Sequence, residues 1–202
     1  VKNIKKNKDM YEIYYKTTKV ITKKIIFCIP QQSLLHFSIL KPIHCVIKES
    51  VTCKPLCRTY AIFDKNTDWI KEINKKTVTN NQLRYIIPID PENGLIMISY
   101  TDDIYTKHWK NMQNSQKKLK NEVVKLVNKT FDINITPPIK VIVCHWDCGV
   151  AYWNKNIDSS VVSEFLINPL PDLYISGENF SLNQSWVEGA LETSNKIVKL
   201  LT

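Results

Sequence analysis

The segment from residue 172 to residue 202 has the pattern that most constrains how this chain folds. Residues 172–179 read DLYISGEN, an apolar run followed by glycine and an acid, and residues 185–191 read SWVEGAL, which opens an amphipathic pattern. The first pattern predicts a strand that ends in a glycine turn, and the second predicts a long helix. A glycine turn followed by a helix N-terminus suits an anionic or electron-rich ligand.

Length and composition indicate one sizeable domain, or one domain with a piece of another. The chain has 202 residues, of which 44% are hydrophobic and 23% charged, with a net charge of +9. Such a charge is compatible with nucleic acid or an anionic surface. The lysines are spread along the chain, however, and their densest cluster, residues 2–8, lies at an end that we expect to be loose. We therefore disfavour nucleic acid as a partner. No apolar run approaches the length of a membrane span.

The six cysteines predict neither a metal site nor a disulfide framework. None of them forms a C-x-x-C pair. Cys144, His145 and Cys148 have the spacing of half a zinc site, but the sequence contains no matching second half. We expect reduced thiols, and a structural role for His145.

The remaining pattern is one of many strands and few helices. Strands are predicted at residues 11–15, 18–29, 56–63 and 139–144, with residues 25–29 buried on both faces. Residues 83–89 and 95–100 predict a hairpin around Asn93 and Gly94. Residues 115–131 predict a helix capped by Ser115, and residues 145–153 predict an aromatic loop. The fold class is therefore α+β: a mixed, largely antiparallel sheet with a packed helix.

Two stretches of the tail together resemble a known family. Residues 174–178 (YISGE) and 186–190 (WVEGA) are similar to the C-terminal flavin-binding signature of the flavin-containing amine oxidases, which include monoamine and polyamine oxidases. The order of the elements also resembles that of the family. Within the family, the sequence most resembles the amine-oxidase-like proteins of large DNA viruses. The resemblance implies a substrate domain with a C-terminal strand and helix that belong to the FAD-binding domain.

The resemblance implies that the tail binds the flavin end of FAD. Gly177 would let the backbone approach the cofactor, and Glu178 and Asn179 would lie at its ribityl and pyrophosphate region. The helix that begins near Ser185 would direct its free N–H groups at the flavin, with Val187 donating to a ring carbonyl. The positive helix end would stabilise the anionic reduced flavin.

The resemblance also implies a set of residues around the substrate. Trp186, with Tyr152 or Trp153, would form two aromatic walls that orient an amine. Gly149 would permit a sharp loop before these aromatics. Arg58 is the nearest match to the lysine that many members link to the flavin through water. Arginine does not lose its proton as a tuned lysine does, so the usual oxidase chemistry is in question here.

One part of the family pattern is absent from the sequence. The four glycines, at positions 94, 149, 177 and 189, are too far apart for the G-x-G-x-x-G fingerprint of the dinucleotide-binding half. We therefore expect residues 1–140 to be a substrate-binding-like domain, and residues 141–202 to be a C-terminal flavin-contacting segment. The FAD site is incomplete in this chain, and the missing N-terminal half is the expected partner.

Two functions follow, and whether the chain is an enzyme stays open between them. The first is the C-terminal part of an FAD-dependent amine oxidase, a fragment or split subunit that oxidises a C–N bond and yields peroxide. Its substrate would be a small-molecule amine. The second is a non-catalytic structural or binding protein, viral or cellular, that keeps the fold without flavin. Either would be cytoplasmic, or in the host cytoplasm or virion if viral.

Overall fold

The computed structural model describes residues 1–73 and 75–202, which form two compact units. Unit 1 consists of Val1–Lys54 and Val150–Thr202, and unit 2 of Pro55–Gly149. The predicted division into 1–140 and 141–202 concerns substrate and flavin roles, and it stays a prediction.

Unit 2 is built on a five-stranded sheet. Its elements are β5 (Val51–Ile62, which begins in unit 1), α3 (Asp68–Glu72), β6 (Thr77–Val78), β7 (Tyr85–Asp90), β8 (Leu95–Asp102), α4 (Thr106–Lys110), α5 (Gln116–Phe131) and β9 (Lys140–Trp153, which ends in unit 1). The strand order is β6-β7-β8-β5-β9, and β6–β7, β7–β8 and β5–β8 are antiparallel.

The apolar stripe of α5 closes the core of unit 2. Leu119, Val123 and Val127 are fully buried there together with inward residues of the sheet. The helix begins as predicted, because the Ser115 hydroxyl accepts a hydrogen bond from the Lys118 N–H at 3.4 Å. The predicted hairpin is also confirmed, with Gly94 in the left-handed region at φ 74°.

Unit 1 contains two small sheets and four α-helices among its described residues. The strands are β1 (Asn3–Asn7), β2 (Met10–Tyr15), β3 (Thr18–Thr22), β4 (Ile25–Phe27) and β10 (Leu173–Ile175), and the helices are α1 (Gln31–Leu34), α2 (His44–Ser50), α6 (Ser159–Ile167) and α7 (Val187–Leu201). The strands β1, β2 and β3 form an antiparallel sheet, whereas β4 and β10 pair in parallel. Short 3-10 helices lie at Ser38–Ile43 and Glu178–Phe180 in this unit, and at Pro91–Asn93 and Asp103–Tyr105 in unit 2.

The mixed helical and antiparallel content confirms the predicted α+β class, but several local predictions were wrong. The N-terminal residues are not loose, because β1 pairs along its whole length with β2. Residues 18–29 form two strands rather than one, and Ile26 is exposed, so β4 is not buried on both faces. The sequence patterns also missed the helix α6, whose N-cap Asp158 accepts from the Ser160 and Val161 N–H groups.

The prediction of an aromatic loop at residues 145–153 is also wrong, because these residues continue the strand β9.

The cysteines agree only in part with the expectation of reduced thiols. Cys28, Cys45, Cys57 and Cys144 are free thiols, as expected, whereas Cys53 and Cys148 are disulfide-bonded. Spacing along a sequence does not reveal disulfide bonding of this kind. In the described part of the chain, no helix has the length and apolar character needed to cross a bilayer.

Candidate functional site

The glycine turn predicted after the C-terminal strand is present in unit 1. The Ser176 N–H donates to the Phe27 carbonyl at 2.8 Å, which extends the pairing of β10 with β4 by one step. The next residue, Gly177, has φ 138° and ψ 169°. L-residues with a side chain rarely adopt this conformation. A Cβ built there would meet nothing within 4 Å. Backbone conformation, not crowding, requires the glycine, and open space lies beside it.

Thr193 of helix α7 stabilises the glycine turn through hydrogen bonds. Its hydroxyl oxygen accepts from the Gly177 N–H at 2.9 Å and lies 3.2 Å from the Gly177 carbonyl and 3.1 Å from the Ala190 carbonyl. Only 2% of Thr193 is exposed. Beside it, the hydroxyl groups of Ser176 and Ser194 are 2.9 Å apart. The sequence reasoning missed Thr193; the available signal was its position one helical turn after Gly189.

The polar residues after Gly177 close a loop within unit 1. One carboxylate oxygen of Glu178 accepts from the Ser185 N–H at 2.8 Å, and the other accepts from the Asn179 side-chain amide. The Asn179 side-chain oxygen accepts from the Gln31 N–H at 2.7 Å, and its backbone carbonyl accepts from the Gln184 side chain at 2.6 Å. These contacts fix the loop that leads into helix α7. The predicted contacts of Glu178 and Asn179 with a cofactor stay predictions.

The first turn of α7 is open to solvent. Trp186 occupies the N-cap position without a side-chain cap, and 71% of it is exposed. Ser185 enters the helix with φ 69°, a left-handed conformation that is uncommon for serine, and Val187 is exposed. Since the first N–H groups of a helix have no intrahelical acceptor, this end can bind an electron-rich group.

Gly189 lets the preceding loop lie against the first turn of α7. A Cβ at this position would lie 2.2 Å from the Ser181 hydroxyl oxygen and 2.3 Å from the Asn183 carbonyl oxygen. The second contact is with backbone, so a larger residue would displace the loop itself. Gly189 was noted in the sequence only as part of the motif, and the structure gives it this packing role.

The two aromatic candidates at the end of β9 have different surroundings. The Trp153 N–H donates to the Gln184 side chain at 2.8 Å, and its indole N–H donates to the Ser181 carbonyl at 3.1 Å. Trp153 thus supports the loop described above. Tyr152 is 46% exposed. Successive residues of a strand face opposite sides, so Tyr152 is the one of the pair whose ring is accessible to a ligand.

Arg58 and Gly149 lie in unit 2. The Arg58 guanidinium is exposed and its carbon lies 5.4 Å from the centre of the Tyr100 ring, which is its cross-strand partner. Gly149 lies inside β9, so the sharp loop expected there is wrong. A Cβ on Gly149 would lie 2.1 Å from the Leu56 Cβ. The glycine therefore permits a close approach between strands.

His145 has the environment of a structural histidine. Its side chain is largely buried, and its Nδ1 lies 3.7 Å from the Asp147 carboxylate. Burial, followed by the charge of Lys110, lowers the pKa of His145. The Lys110 Nζ lies 2.6 Å from the Asp147 Oδ1, and this hydrogen bond lowers the pKa of the Asp147 carboxyl group. Within residues 1–73 and 75–202, no three His, Cys, Asp or Glu side chains form a group that could hold a metal.

Eight of the ten predicted site residues therefore belong to unit 1, in β9, the glycine turn and the start of α7, and two belong to unit 2. Neither a protein-family profile nor a curated protein matches this sequence. Solved structures do share its fold. One is a protein from Exiguobacterium sp. 255-15 assigned as a protoporphyrinogen oxidase, with a TM-score of 0.67 and 15% identity over 98% of this chain. Another is cyclohexylamine oxidase from Brevibacterium oxydans IH-35A, with a TM-score of 0.73 and 11% identity over 98% of this chain.

These similarities establish an oxidase-like fold. The chain spans about half the length of the solved structures that it matches, 46% of the first and 48% of the second. What those oxidases act on is a property of those proteins.

Proposed function

We propose that this chain is the C-terminal part of an FAD-dependent amine oxidase. The proposal rests on the glycine turn at Gly177, which Thr193 holds against α7, and on the open N-terminus of that helix, in a chain that shares the fold of an amine oxidase. FAD, held by the turn at Gly177 and by the start of α7, would supply the two-electron chemistry that oxidises the C–N bond of an amine to an imine, with oxygen as the final acceptor and peroxide as its product.

The residues present fit one end of such a cofactor. The side of Gly177 on which a Cβ would lie is open, so a flat ring system could approach its backbone. The uncapped start of α7 supplies N–H donors, with Val187 as the proposed donor to a ring carbonyl, and a partial positive charge. That charge would stabilise the negative charge that builds up when a hydride is accepted. Ser185 and Glu178 hold this helix start in place through their hydrogen bond.

Trp186 and Tyr152 are the proposed aromatic walls for the amine. Both are exposed in unit 1, and two such rings could orient a neutral amine between them. Trp153 would act through the loop that it supports, as a positioning residue. Arg58 stays protonated at neutral pH, so we assign it no role as a base.

The proposed partner is a polypeptide that carries the dinucleotide-binding half of the FAD site. Parallel sheets are normally covered on both faces, and a two-stranded sheet is marginal by itself, yet β4 and β10 pair with no third strand among the described residues. Helix α7 also exposes Val187, Leu191 and Val198, which recur at helical spacing. We propose that the partner completes this sheet and covers this stripe.

A copurification experiment tests the proposal. The chain would be purified together with a polypeptide that carries the dinucleotide-binding half, and the flavin absorption spectrum and peroxide release with amines would be measured. Trp186→Ala should slow amine oxidation by about 10-fold or more while flavin stays bound. The control Tyr105→Ala, which also removes an exposed ring but lies in unit 2, should stay within about twofold. Failure to bind flavin with the partner present would refute the proposal.

A second candidate is a non-catalytic binding or structural protein with the same fold. It is favoured by the Glu178 carboxylate, both of whose oxygens already accept hydrogen bonds from the loop. In this case the loop is held by its own contacts and needs no cofactor to order it. The same copurification separates the two: this candidate predicts a stable complex without flavin absorption.

A further inference from the structure

The first 24 residues carry most of the net positive charge of the chain. They contain eight lysines, at positions 2, 5, 6, 8, 16, 19, 23 and 24, against Asp9 and Glu12, a net charge of +6 out of the total of +9. In the structure residues 3–22 form the antiparallel sheet β1-β2-β3, which Lys2, Lys23 and Lys24 flank, and all eight lysines are exposed. The charge that looks dispersed in the sequence is therefore gathered on one ordered sheet.

Both turns of this sheet place a lysine at the tip. Lys8 and Lys16 have φ values of 54° and 50°, a left-handed conformation in which glycine or asparagine is the usual residue. The two turns lie at opposite ends of β2, so positive charge extends along its full length. Of the eight lysines, Lys19 alone forms an ion pair with a carboxylate of the described residues, that of Glu12 at 2.9 Å.

Aromatic rings alternate with these lysines. The ammonium groups of Lys5 and Lys19 lie 5.9 and 6.0 Å from the centre of the Tyr14 ring, and that of Lys16 lies 5.5 Å from the centre of the Tyr15 ring. Tyr15 is 52% exposed. Proteins that bind single-stranded nucleic acid combine two features: positive charge along the path of the phosphate backbone, and exposed aromatic rings on which bases stack.

The exposed apolar residues of the sheet favour a nucleic acid over a lipid surface. Val20 and Ile21 are both exposed on β3, but adjacent strand residues point to opposite faces. They cannot enter a bilayer from the same side. The lysine charge, by contrast, surrounds the sheet at its edges and turns, where a flexible polyanion can reach it.

We propose that the sheet β1-β2-β3 binds the phosphate backbone of a single-stranded nucleic acid without sequence preference. Lysines at the turns and edges contact phosphates, and the exposed Tyr15 ring stacks on a base. This surface is separate from the glycine turn and α7, and it does not depend on the function proposed for them.

Two charge-matched variants of the whole chain test the proposal. In the sheet variant, Lys2, Lys8, Lys23 and Lys24 are replaced by Gln. In the control variant, Lys107, Lys117, Lys118 and Lys129 of unit 2 are replaced by Gln, so both proteins carry a formal net charge of +5, four below the +9 of the chain. Binding of fluorescein-labelled (dT)20 is followed by anisotropy between 50 and 200 mM salt, and circular dichroism verifies folding.

The expected results depend on position rather than on total charge. The sheet variant should lose about 10-fold or more in affinity at 100 mM salt and show a shallower salt dependence, whereas the control variant should stay within about twofold. Tyr15→Ala should weaken binding to (dT)20 about fivefold and leave binding to a duplex of the same length unchanged. Equal losses in the two lysine variants, equal affinity for single strand and duplex, or binding to phosphatidylserine vesicles in place of (dT)20 would each overturn the proposal.

Discussion

Replacement of Thr193 by valine is expected to loosen the turn at Gly177. Valine keeps the shape of threonine but removes the hydroxyl, which accepts from the Gly177 N–H at 2.9 Å and donates to one of the carbonyls 3.1–3.2 Å away. A lost hydrogen bond costs about 1 kcal/mol, and a buried N–H left unpaired costs about 1–3 kcal/mol. Gly177 is only partly buried, so the free energy of unfolding should fall by about 2 kcal/mol.

Two measurements follow from this value. In a chain of this size, the midpoint of thermal unfolding should fall by about 4–8 °C. The amide of Gly177 should also exchange with solvent up to about 30-fold faster. Thr193→Ser is the matched control, because it keeps the hydroxyl and should preserve the protection of the Gly177 amide. If the valine variant kept both the wild-type midpoint and the wild-type exchange rate at Gly177, the proposed fastening of the turn would be wrong.

Three further predictions concern the two units separately. Gly149→Ala places a Cβ 2.1 Å from the Leu56 Cβ and should destabilise unit 2 by about 1–3 kcal/mol, measured by urea unfolding; an unchanged midpoint would contradict this contact. Lys16→Gly relieves a φ of 50° and should stabilise the β2–β3 hairpin by about 0.5–1 kcal/mol, measured as slower amide exchange, whereas faster exchange would count against the turn conformation. The pKa of Glu12 is lowered to about 2, first by its hydrogen bond with Tyr14 and then by that with Lys19. Its stabilisation is therefore present above the unfolded-state pKa and is lost as the pH falls toward about 2, so Glu12→Gln should flatten the acid dependence of the sheet, followed by amide exchange.

Local signals in the sequence predicted those elements whose cause is local. The helix Gln116–Phe131 follows from an apolar stripe at helical spacing and a serine cap, and both are confirmed. The β7–β8 hairpin follows from a glycine that supplies a left-handed turn residue, and the turn at Gly177 follows from a glycine two residues after an apolar strand. In each case the physical reason lies within a few residues.

The failures have causes that lie elsewhere in the chain. Gly149 suggested a loop, but the glycine is needed because Leu56, far earlier in the sequence, lies directly against it in the neighbouring strand β5. The N-terminal lysines suggested a loose end, but pairing with β2 orders them. The candidate site shows the same division. Its turn and helix could be predicted from local patterns. The hydrogen bond from the Gln31 N–H to the Asn179 side chain could not, because it joins residues 148 positions apart and has no local sequence signal.

The parallel pair of β4 and β10 has a consequence for the order of folding. Ile25 pairs with Leu173 and Phe27 with Ile175, so this pairing forms only after the whole of unit 2 has been synthesised. Unit 2 is continuous in sequence and is free to fold as soon as it has emerged from the ribosome. The sheet β1-β2-β3 pairs locally, but β4 must wait for the later segment, and closure of so long a loop is slow. Refolding should therefore be biphasic, with the amides of β8 protected before those of β4.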